Sequence, residues 1–331
     1  MKSMNFIYLF SILLCIPVSC NSAQPGCTDP QAINFDSTAT EEDGSCTYEI
    51  VNVSPVWSIE LDEKIRETSG LILWDEALWT MNDDTDTRLY QLNTSTGEII
   101  ATHLLPGVVN QDWEEIAQDE DYIYVGDIGN NMGNRKNLHI LCIDKLSLKA
   151  GNPSIDTIWF TFSDQQNFAS SSLNQKEFDC EAFVVSSDSI YLFTKQWQSS
   201  YTSKYVLPKL PGSYVAQKRE VFNIQGLVTG ATYLEHGRLL VLCGYTGLML
   251  PFMHLFYDYQ GDDFFTGTQK RVNIALPFHQ VEGIVTTDGI HYFLTNEHTV
   301  AEPYVNIPQK MHQIDLSELL GEYLKGMKKF D

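Results

Sequence analysis

Five segments built on one plan recur along this chain. Each begins with a small or acidic pair followed by apolar residues, passes through a turn into a strongly apolar strand, and then reaches a polar loop and two further strands. The units begin at Ser69, Glu114, Glu181, Thr229 and Glu282, at spacings of 45, 67, 48 and 53 residues. Repeats of this length that are rich in strands and turns predict a β-propeller with four strands in each blade.

The last unit lacks an outermost strand. After its second strand, HYFLTNE, only the string KMHQIDL and a helix-like tail at residues 319–331 follow. The string VWSIEL at residues 56–61 precedes the first unit and supplies the missing strand. The sequence therefore predicts a propeller over residues 55–318 whose ring closes by joining both chain ends in one blade, which leaves no exposed sheet edge.

Two alternatives to a five-bladed ring stay open. A sixth blade would form if the stretch SDQQNFASSSLNQK at residues 163–176 contained short strands, although we expect a polar loop there. A β-sandwich is the main alternative fold, but it would not require five similar units. We therefore expect an all-β chain with five blades.

The first 19 residues have the pattern of a secretion signal. Lys2 is followed by an apolar run over residues 6–18 that is too short to span a bilayer, and then by Ser19 and Cys20. This ending resembles a bacterial lipoprotein signal, in which Cys20 would be acylated; cleavage by ordinary signal peptidase is the alternative. We expect an extracytoplasmic protein, lipid-anchored at the outer membrane or cell surface of a Gram-negative bacterium or otherwise secreted, that touches the membrane only through its anchor.

A short acidic module follows at residues 20–50. Cys27 and Cys46 bracket a polar segment, as expected of a disulfide in an oxidising compartment. The string GCTDPQAINFDSTATEEDGSCTY resembles a module repeated in secreted bacterial proteins and often grouped with thrombospondin type 3-like calcium repeats. Hard oxygen ligands are offered by Asp29, Asn34, Asp36, Glu42 and Asp43. Because the alternating acidic spacing of a calcium loop is missing, a metal-free spacer is equally open.

The net charge restricts the partners. The chain has 21 Lys and Arg against 43 Asp and Glu, a formal charge of −22, which excludes a nucleic-acid binder. Residues 59–127 alone hold 17 acids and three bases. We therefore expect a cation or a basic partner to meet the molecule on the side of its first two blades.

The residues at the start of each unit are the candidates for a site on the channel axis, because the first strand of a propeller blade lines the channel. These residues are Glu67, Ser69, Asp112, Glu114, Asp179, Glu181, Thr229, Gln280 and Glu282. Carboxylates that face one axis repel one another unless a cation or protons neutralise them, and calcium takes six to eight oxygen ligands. The predicted calcium ligands are Asp112, Glu114, Asp179, Glu181 and Glu282. In the alternative, each Glu accepts backbone hydrogen bonds from the neighbouring blade and is structural.

The loops after the second strands are expected to rise on the same face. Their candidate ligand-binding residues are Asp83, Asp127, Asn131, Arg135, Lys195, Tyr245 and Glu297. Arg135 and Lys195 stand among acids, where either one pairs with a carboxylate or holds an anionic substrate group. The ligand expected at this face is a small molecule, a glycan or a peptide.

The chain has no recognisable catalytic motif. It lacks a G-x-S-x-G string, a paired-His metal motif and a Gly-rich phosphate loop. Cys142 and Cys243 lie in apolar runs typical of core thiols, whereas Cys180 sits beside two carboxylates. His298, next to Glu297, is a candidate acid or base.

The first two units, ETSGLILWDEALWTMNDDTDTRLYQLNTSTGEII and DWEEIAQDEDYIYVGDIGNN, resemble blades of the extracellular propeller group that includes phytase-like, strictosidine-synthase-like and lactonase-like proteins. The resemblance implies the fold and a calcium-holding channel. Two functions follow: a binding or scaffold module of the cell envelope, or a calcium-dependent hydrolase of phosphoesters or lactones. In the hydrolase, Glu114, Glu181 and Glu282 would hold the metal, with Arg135 or Lys195 steadying the developing charge.

Overall fold

The computed structural model describes residues 23–28, 32–43, 45–47, 49–169 and 177–321. The chain divides into two compact units, residues 1–48 and residues 49–331. The leader with Cys20, the second half of the 163–176 stretch, where a sixth blade would require short strands, and the end of the C-terminal tail lie outside the described residues. The lipoprotein signal therefore stays a prediction. Among the described helices, none is long and apolar enough to cross a membrane.

The first unit is a small module held by one disulfide. Its strands β1 (Pro25–Gly26) and β2 (Glu41–Glu42) pair in parallel. Cys27 and Cys46 are bonded with their Cα atoms 4.7 Å apart, which confirms the predicted pairing. The carboxylate of Asp36 accepts from Thr38 N at 2.8 Å, so this proposed calcium ligand is engaged in capping a turn.

The second unit begins with β3 (Val51–Val53), β4 (Trp57–Glu60) and a 3-10 turn at Glu63–Ile65. Within its described residues, five blades follow. Blade 1 contains β5 (Thr68–Trp74), β6 (Ala77–Asn82), β7 (Arg88–Leu92) and β8 (Ile99–Leu104). Blade 2 contains β9 (Trp113–Gln118), β10 (Tyr122–Asp127), β11 (Leu138–Asp144), helix α1 (Lys145–Lys149) and β12 (Ile155–Phe162).

The remaining blades repeat this order. Blade 3 contains β13 (Asp179–Val185), β14 (Ser189–Lys195), β15 (Thr202–Pro208) and β16 (Gly212–Phe222). Blade 4 contains β17 (Leu227–Leu234), β18 (Leu239–Tyr245), β19 (Pro251–Tyr257), a 3-10 turn at Phe264–Thr266 and β20 (Thr268–Ile274). Blade 5 contains β21 (Val281–Val285), β22 (His291–Asn296), the hairpin β23 (Thr299–Ala301) and β24 (Val305–Ile307), and β25 (Lys310–Asp315). Helical residues 317–321 follow.

The ring closes as predicted. The inner strands β5, β9, β13, β17 and β21 each contact the next one, and β21 contacts β5. Strand β4 pairs antiparallel with β25, with Trp57 opposite Gln313, and so supplies the outermost strand of blade 5. The prediction of a five-bladed all-β propeller, closed by an N-terminal strand and followed by a short C-terminal helix, is confirmed.

Two strand pairings depart from simple four-stranded blades. Strand β3 pairs in parallel with β20 and adds a fifth strand to blade 4. The first half of β16, Gly212 to Ala216, pairs in parallel with β12, and its second half pairs with β15. Because β16 is 11 residues long, it joins blades 2 and 3 into one eight-stranded sheet.

The hydrophobic core is divided among the spaces between neighbouring blades. In the described chain, five apolar clusters occupy these spaces, one for each pair of adjacent blades. Trp79 of blade 1 and Trp113 of blade 2 are both buried in one of them. Each large side chain buried in this way stabilises the fold by about 1.5–3 kcal/mol. The blades are therefore held together face to face by apolar packing.

Glycine allows the inner strands to approach closely at the axis. A Cβ on Gly230 would lie 2.3 Å from the Glu282 carbonyl oxygen of the next blade. Gly70 has a φ of +61°, and a Cβ there would lie 2.6 Å from Ile116 N. These contacts explain the small residues at the start of several units. The thiols are core groups: Cys142, Cys180 and Cys243 are buried, and burial raises the pKa of Cys142 to about 12.

Candidate cation site at the channel mouth

The carboxylates singled out from the sequence lie at one end of the ring. The backbone N–H of Asp83 donates to Glu67 O at 3.1 Å, and that of Glu297 donates to Gln280 O at 3.1 Å. Such bonds tie the residue after a second strand to the residue before the inner strand of its blade. We name this end the acidic mouth and define it by eight of the described residues: Glu67, Asp83, Asp112, Glu114, Asp179, Glu181, Glu282 and Glu297.

Three of these carboxylates belong to residues that lie at β-bulges in the inner strands. Where β9 pairs with β10, the partners are Glu115 and then Trp113, so Glu114 between them has no partner. The same register shift leaves Glu181 unpaired in β13 and Glu282 unpaired in β21. A bulge turns an extra side chain out of the normal alternation of a strand, and it is frequent beside functional sites. This repeated irregularity places the acidic residue of blades 2, 3 and 5 at the mouth. At the corresponding place in β17, Thr229 is the unpaired residue.

On the side of blades 3 and 4, the mouth contains its own cation. The Nζ of Lys195 lies 3.0 Å from Oε2 of Glu181, and both side chains are buried. The ammonium also lies 4.7 Å from the ring centroid of Trp197 and 5.5 Å from that of Tyr245. Burial disfavours the ammonium, yet the pKa of Lys195 is raised well above its usual value because Glu181 and other acids surround it. Lys195 therefore remains charged and neutralises this side.

Arg135 secures the loop of blade 2. Its guanidinium donates to Oδ1 of Asp127 and, at 2.7 Å, to the carbonyl of Gly129. Both Arg135 and Asp127 are buried, so of the two roles left open by the sequence, the structure shows pairing with a carboxylate. Asn131 lies half-buried in this loop.

Asp179 joins the blade 2 loop to blade 3. Its Oδ1 accepts from Asn130 N at 2.7 Å and its Oδ2 accepts from Trp197 Nε1 at 2.9 Å. Both oxygens are engaged and the side chain is fully buried, which fits the structural alternative for this residue.

Asp112 and Glu114 converge above Gly129. A Cβ on Gly129 would lie 2.3 Å from an oxygen of each carboxylate, so the glycine leaves room for both side chains in this position. Burial and the charge of Asp179 raise the pKa of Asp112 to about 6. Burial, followed by the charges of Glu181 and Asp112, raises the pKa of Glu114 well above its usual value. The two carboxyl groups are hydrogen-bonded to each other, so each affects the titration of the other.

Blades 1 and 5 bring three further carboxylates together. Glu67, Asp83 and Glu297 each place one oxygen within 4.8 Å of the others, and all three are half-buried. Burial and the charges of Glu297 and Glu67 raise the pKa of Asp83 to about 8. Burial and the charge of Glu67 raise the pKa of Glu297 to about 7. In the described part of the chain, this is the group of acids close enough to hold one metal ion.

The neighbours of this trio provide little positive charge. Arg66 Nε lies 3.0 Å from Glu67, but the side chain is 43% exposed and also pairs with Glu63. Gln280 donates an amide hydrogen bond to Glu297. His298 does not face the trio as a free base, because its Nδ1 accepts from Arg66 and its Nε2 donates to Asn306, both at 2.8 Å.

Glu282 lies between the two sides. It is 5% exposed, and its Oε2 has no hydrogen-bond partner among the residues the structure describes. Burial raises its pKa well above the usual value; Lys195 opposes this increase, while Glu297 and Glu181 add to it. An unpaired buried oxygen is costly, so a donor or cation that reached this atom would relieve that cost.

Below the mouth, the side chain of Glu115 crosses the channel from blade 2 to blade 4. The sequence did not predict this role. One carboxylate oxygen accepts from Ile116 N at 3.0 Å, and the other reaches across the ring to Ala231 N of blade 4 at 2.8 Å. The side chain is fully buried. The adjacent Glu114 and Glu115 were a visible signal, because neighbouring residues of a strand point in opposite directions. Ser69 adds a similar tie by donating to the Glu114 carbonyl at 2.6 Å.

Comparisons with known proteins yield structural neighbours alone. No family model and no curated protein matches the chain. The chain is similar to the RRP9 WD40 repeats, with 10% identity and a TM-score of 0.40 over 80% of this chain and 100% of that one. It is also similar to a protein named as a 6-phosphogluconolactonase from Bacteroides uniformis, with 14% identity and a TM-score of 0.33 over 72% of this chain and 69% of that one. Similarity this low says nothing about activity, and the propeller topology rests on the strand pairing itself.

Proposed function

We propose that this propeller is a calcium-dependent binding module whose ion is held by Glu67, Asp83 and Glu297. The observation that carries the proposal is the approach of three carboxylate oxygens, from blades 1 and 5, to within 4.8 Å of one another. The donors are all oxygen atoms, which calcium prefers and which softer metals do not require. With the ion bound, the acidic mouth receives the ligand, and the leader and the disulfide module hold the propeller at the cell envelope.

A cation is a better neutraliser here than protons. With raised pKa values of about 8 for Asp83 and about 7 for Glu297, the trio retains protons at neutral pH when no ion is present. A divalent ion removes the mutual repulsion of the carboxylates and the need for those protons. The opposite side of the mouth already has Lys195 as its cation. This contrast is why we place the ion at blades 1 and 5, rather than on the five residues predicted from the sequence.

Calorimetric titration of calcium into the purified protein tests this proposal. We expect one ion per chain, a loss of at least tenfold in affinity in Glu297→Gln, and a similar loss in Asp83→Asn, because each change removes a charged ligand. Asp121→Asn is the matched control, since this exposed acid lies in the hairpin at the other end of blade 2. Absence of calcium binding by the unmodified protein, or equal losses in the control, would refute the proposed site.

Glu282 favours one alternative, a calcium-dependent hydrolase of phosphoesters or lactones. A buried carboxyl with an unpaired oxygen and a raised pKa can transfer a proton next to a metal site. Turnover of a phosphoester or lactone that requires calcium and is lost in Glu282→Gln, while calcium binding is retained, would establish this function. Ligand binding without turnover would establish the binding module.

A further inference from the structure

Exposed apolar side chains of blades 1, 4 and 5 lie at the same end of the ring as the acidic mouth. They lie in the connections and loops that leave the strands at this end of the ring. Tyr304 is 91% exposed and Leu248 is 75% exposed. We name the group the apolar rim; it consists of Val109, Leu248, Leu250, Phe278, Val300 and Tyr304. Exposed apolar side chains beside an acidic opening offer a partner apolar contacts as well as charge.

The rim is carried by more than one blade. Val109 lies between β8 and β9, Leu248 lies between β18 and β19, and Tyr304 lies between β23 and β24. These segments belong to blades 1, 4 and 5, which are far apart in the sequence. A molecule that covers the rim therefore extends over the mouth and contacts several blades.

The loops of the rim are held in defined conformations. The backbone N–H of Phe278 donates to Met249 O at 2.7 Å, and both residues have positive φ angles, 68° and 56°. Non-glycine residues adopt this conformation at an energetic cost, often at functional sites. In blade 5, strands β23 and β24 pair with each other, and His298 fastens their hairpin to Arg66. The exposed side chains are thus presented on ordered backbone.

Charge decides which partner fits. Inside the rim, the acidic mouth places eight described carboxylates next to one buried lysine, Lys195. One calcium ion leaves this excess of negative charge in place. The Oε2 of Glu282 additionally lacks a donor in the described residues. The mouth therefore attracts a positively charged group that carries hydrogen-bond donors.

We propose that the mouth binds a basic polypeptide segment of a partner protein. A Lys or Arg side chain enters the mouth towards Glu282, and apolar side chains beside it pack on the rim. An anionic glycan or a nucleic acid is repelled, a neutral glycan leaves the carboxylates without a cation, and a small amine does not cover a rim spread over several blades. The proposal deepens the proposed function by naming the partner, and it rests on the same mouth but not on the calcium ion.

Binding of labelled synthetic hexapeptides to the intact protein, measured by fluorescence anisotropy, tests the proposal. The probes are Leu-Lys-Leu-Arg-Leu-Lys, Ser-Lys-Ser-Arg-Ser-Lys and Leu-Glu-Leu-Asp-Leu-Glu. We expect the first to bind at least tenfold more tightly than the other two, since only it satisfies both the mouth and the rim, and we expect its affinity to fall as salt screens the charges. Equal binding of all three peptides, or no binding of the first, would overturn the proposal.

Variants separate the rim from the mouth. Tyr304→Ala and Leu248→Ser should each weaken binding of the first peptide several-fold, and Glu282→Gln should weaken it as well. Leu146→Ser is the control, because Leu146 is 80% exposed on α1, at the opposite end of the ring. If this control weakened the peptide as much as Tyr304→Ala did, the assigned surface would be wrong. Unchanged melting temperatures establish that the variants are folded.

Calcium titration of the same variants keeps the two proposals distinct. Tyr304→Ala should bind calcium normally, because the Tyr304 side chain is 91% exposed and is not one of the proposed ligands of the ion. Glu297→Gln should lose calcium and still bind the basic, apolar peptide in the presence of a chelator. Calcium binding without peptide binding would refute the partner alone, and peptide binding without calcium binding would refute the metal site alone.

Discussion

At the scale of single residues, the acids of the mouth differ in whether the protein provides them with a cation. Glu181 has Lys195 at 3.0 Å within the buried interior, and Asp127, outside the eight acids that define the mouth, has Arg135. Asp83 has like charges as its strongest electrostatic neighbours. An acid that has an internal cation, such as Glu181, is neutralised within the fold. An acid among like charges, such as Asp83, requires an ion or a proton.

Removing the internal cation should destabilise the protein strongly. Lys195→Met leaves the carboxylate of Glu181 buried without its partner, and we expect a loss of about 3–5 kcal/mol in the free energy of unfolding. Urea denaturation measures it. Lys149→Met is the matched control: Lys149 pairs with Asp75 at 2.7 Å, but both side chains are about half exposed, so the change should stay within about 0.5 kcal/mol. Equal effects of the two substitutions would contradict this account.

A side chain at Gly129 should force the carboxylates of Asp112 and Glu114 to move. In Gly129→Ala, the new Cβ would meet the oxygens of Asp112 and Glu114 at 2.3 Å, and the expected cost is about 1–3 kcal/mol. The comparison is Gly247→Ala, where a Cβ meets no atom within 4 Å. Thermal unfolding of both variants measures the difference, and an unchanged melting temperature in Gly129→Ala would show that the two carboxylates do not converge there.

At the scale of elements, the join between the chain ends depends on a neutral histidine. His312 on β25 accepts from Ser58 of β4 at Nδ1 and donates to Asn296 at the end of β22 at Nε2, both at 2.8 Å. Burial, with smaller effects of His279 and Lys310, lowers the pKa of His312 to about 3. One side chain therefore links three strands of blade 5, and only in its uncharged form.

Acid should weaken this join. Because the pKa of His312 is lower in the folded protein than in the unfolded chain, its contribution is present at neutral pH and is lost as the pH falls below about 6.5. Between about pH 7 and pH 5 the expected loss is about 2 kcal/mol. Urea denaturation at the two pH values should show that His312→Gln removes this part of the acid sensitivity. The exposed His291 has a raised pKa, so His291→Gln should not remove it.

Much of the architecture was predictable from the sequence because each unit repeats the same local signals. The strings VWSIEL and KMHQIDL marked β4 and β25, and the acidic unit starts marked the residues at the mouth. The string VNV of β3 is too short to show a strand pattern, and β16 shows no sign that its halves pair with different blades. The sequence also could not show which acids pair with a cation, since the pairing of Glu181 with Lys195 depends on a bulge and on a neighbouring strand.

At the scale of the whole molecule, the excess of negative charge should make stability depend on calcium and pH together. Without the ion, the folded protein binds more protons than the unfolded chain, because the pKa of Asp83 is raised to about 8 and that of Glu297 to about 7. Stability in chelator should therefore decrease as the pH rises from about 7 to about 8 and level off above that, while calcium should remove most of this decrease. Melting curves with and without calcium measure it. Asp83→Asn should flatten the chelator curve, and a curve that rises with pH would contradict the proton linkage.

The proposed calcium site is tested most directly by a crystal structure of the protein grown with calcium and analysed for anomalous scattering. We expect one anomalous peak between blades 1 and 5, about 2.3–2.6 Å from carboxylate oxygens of Glu67, Asp83 and Glu297. A peak held instead by Asp112, Glu114 and Glu181, or a mouth without a peak at saturating calcium, would contradict it.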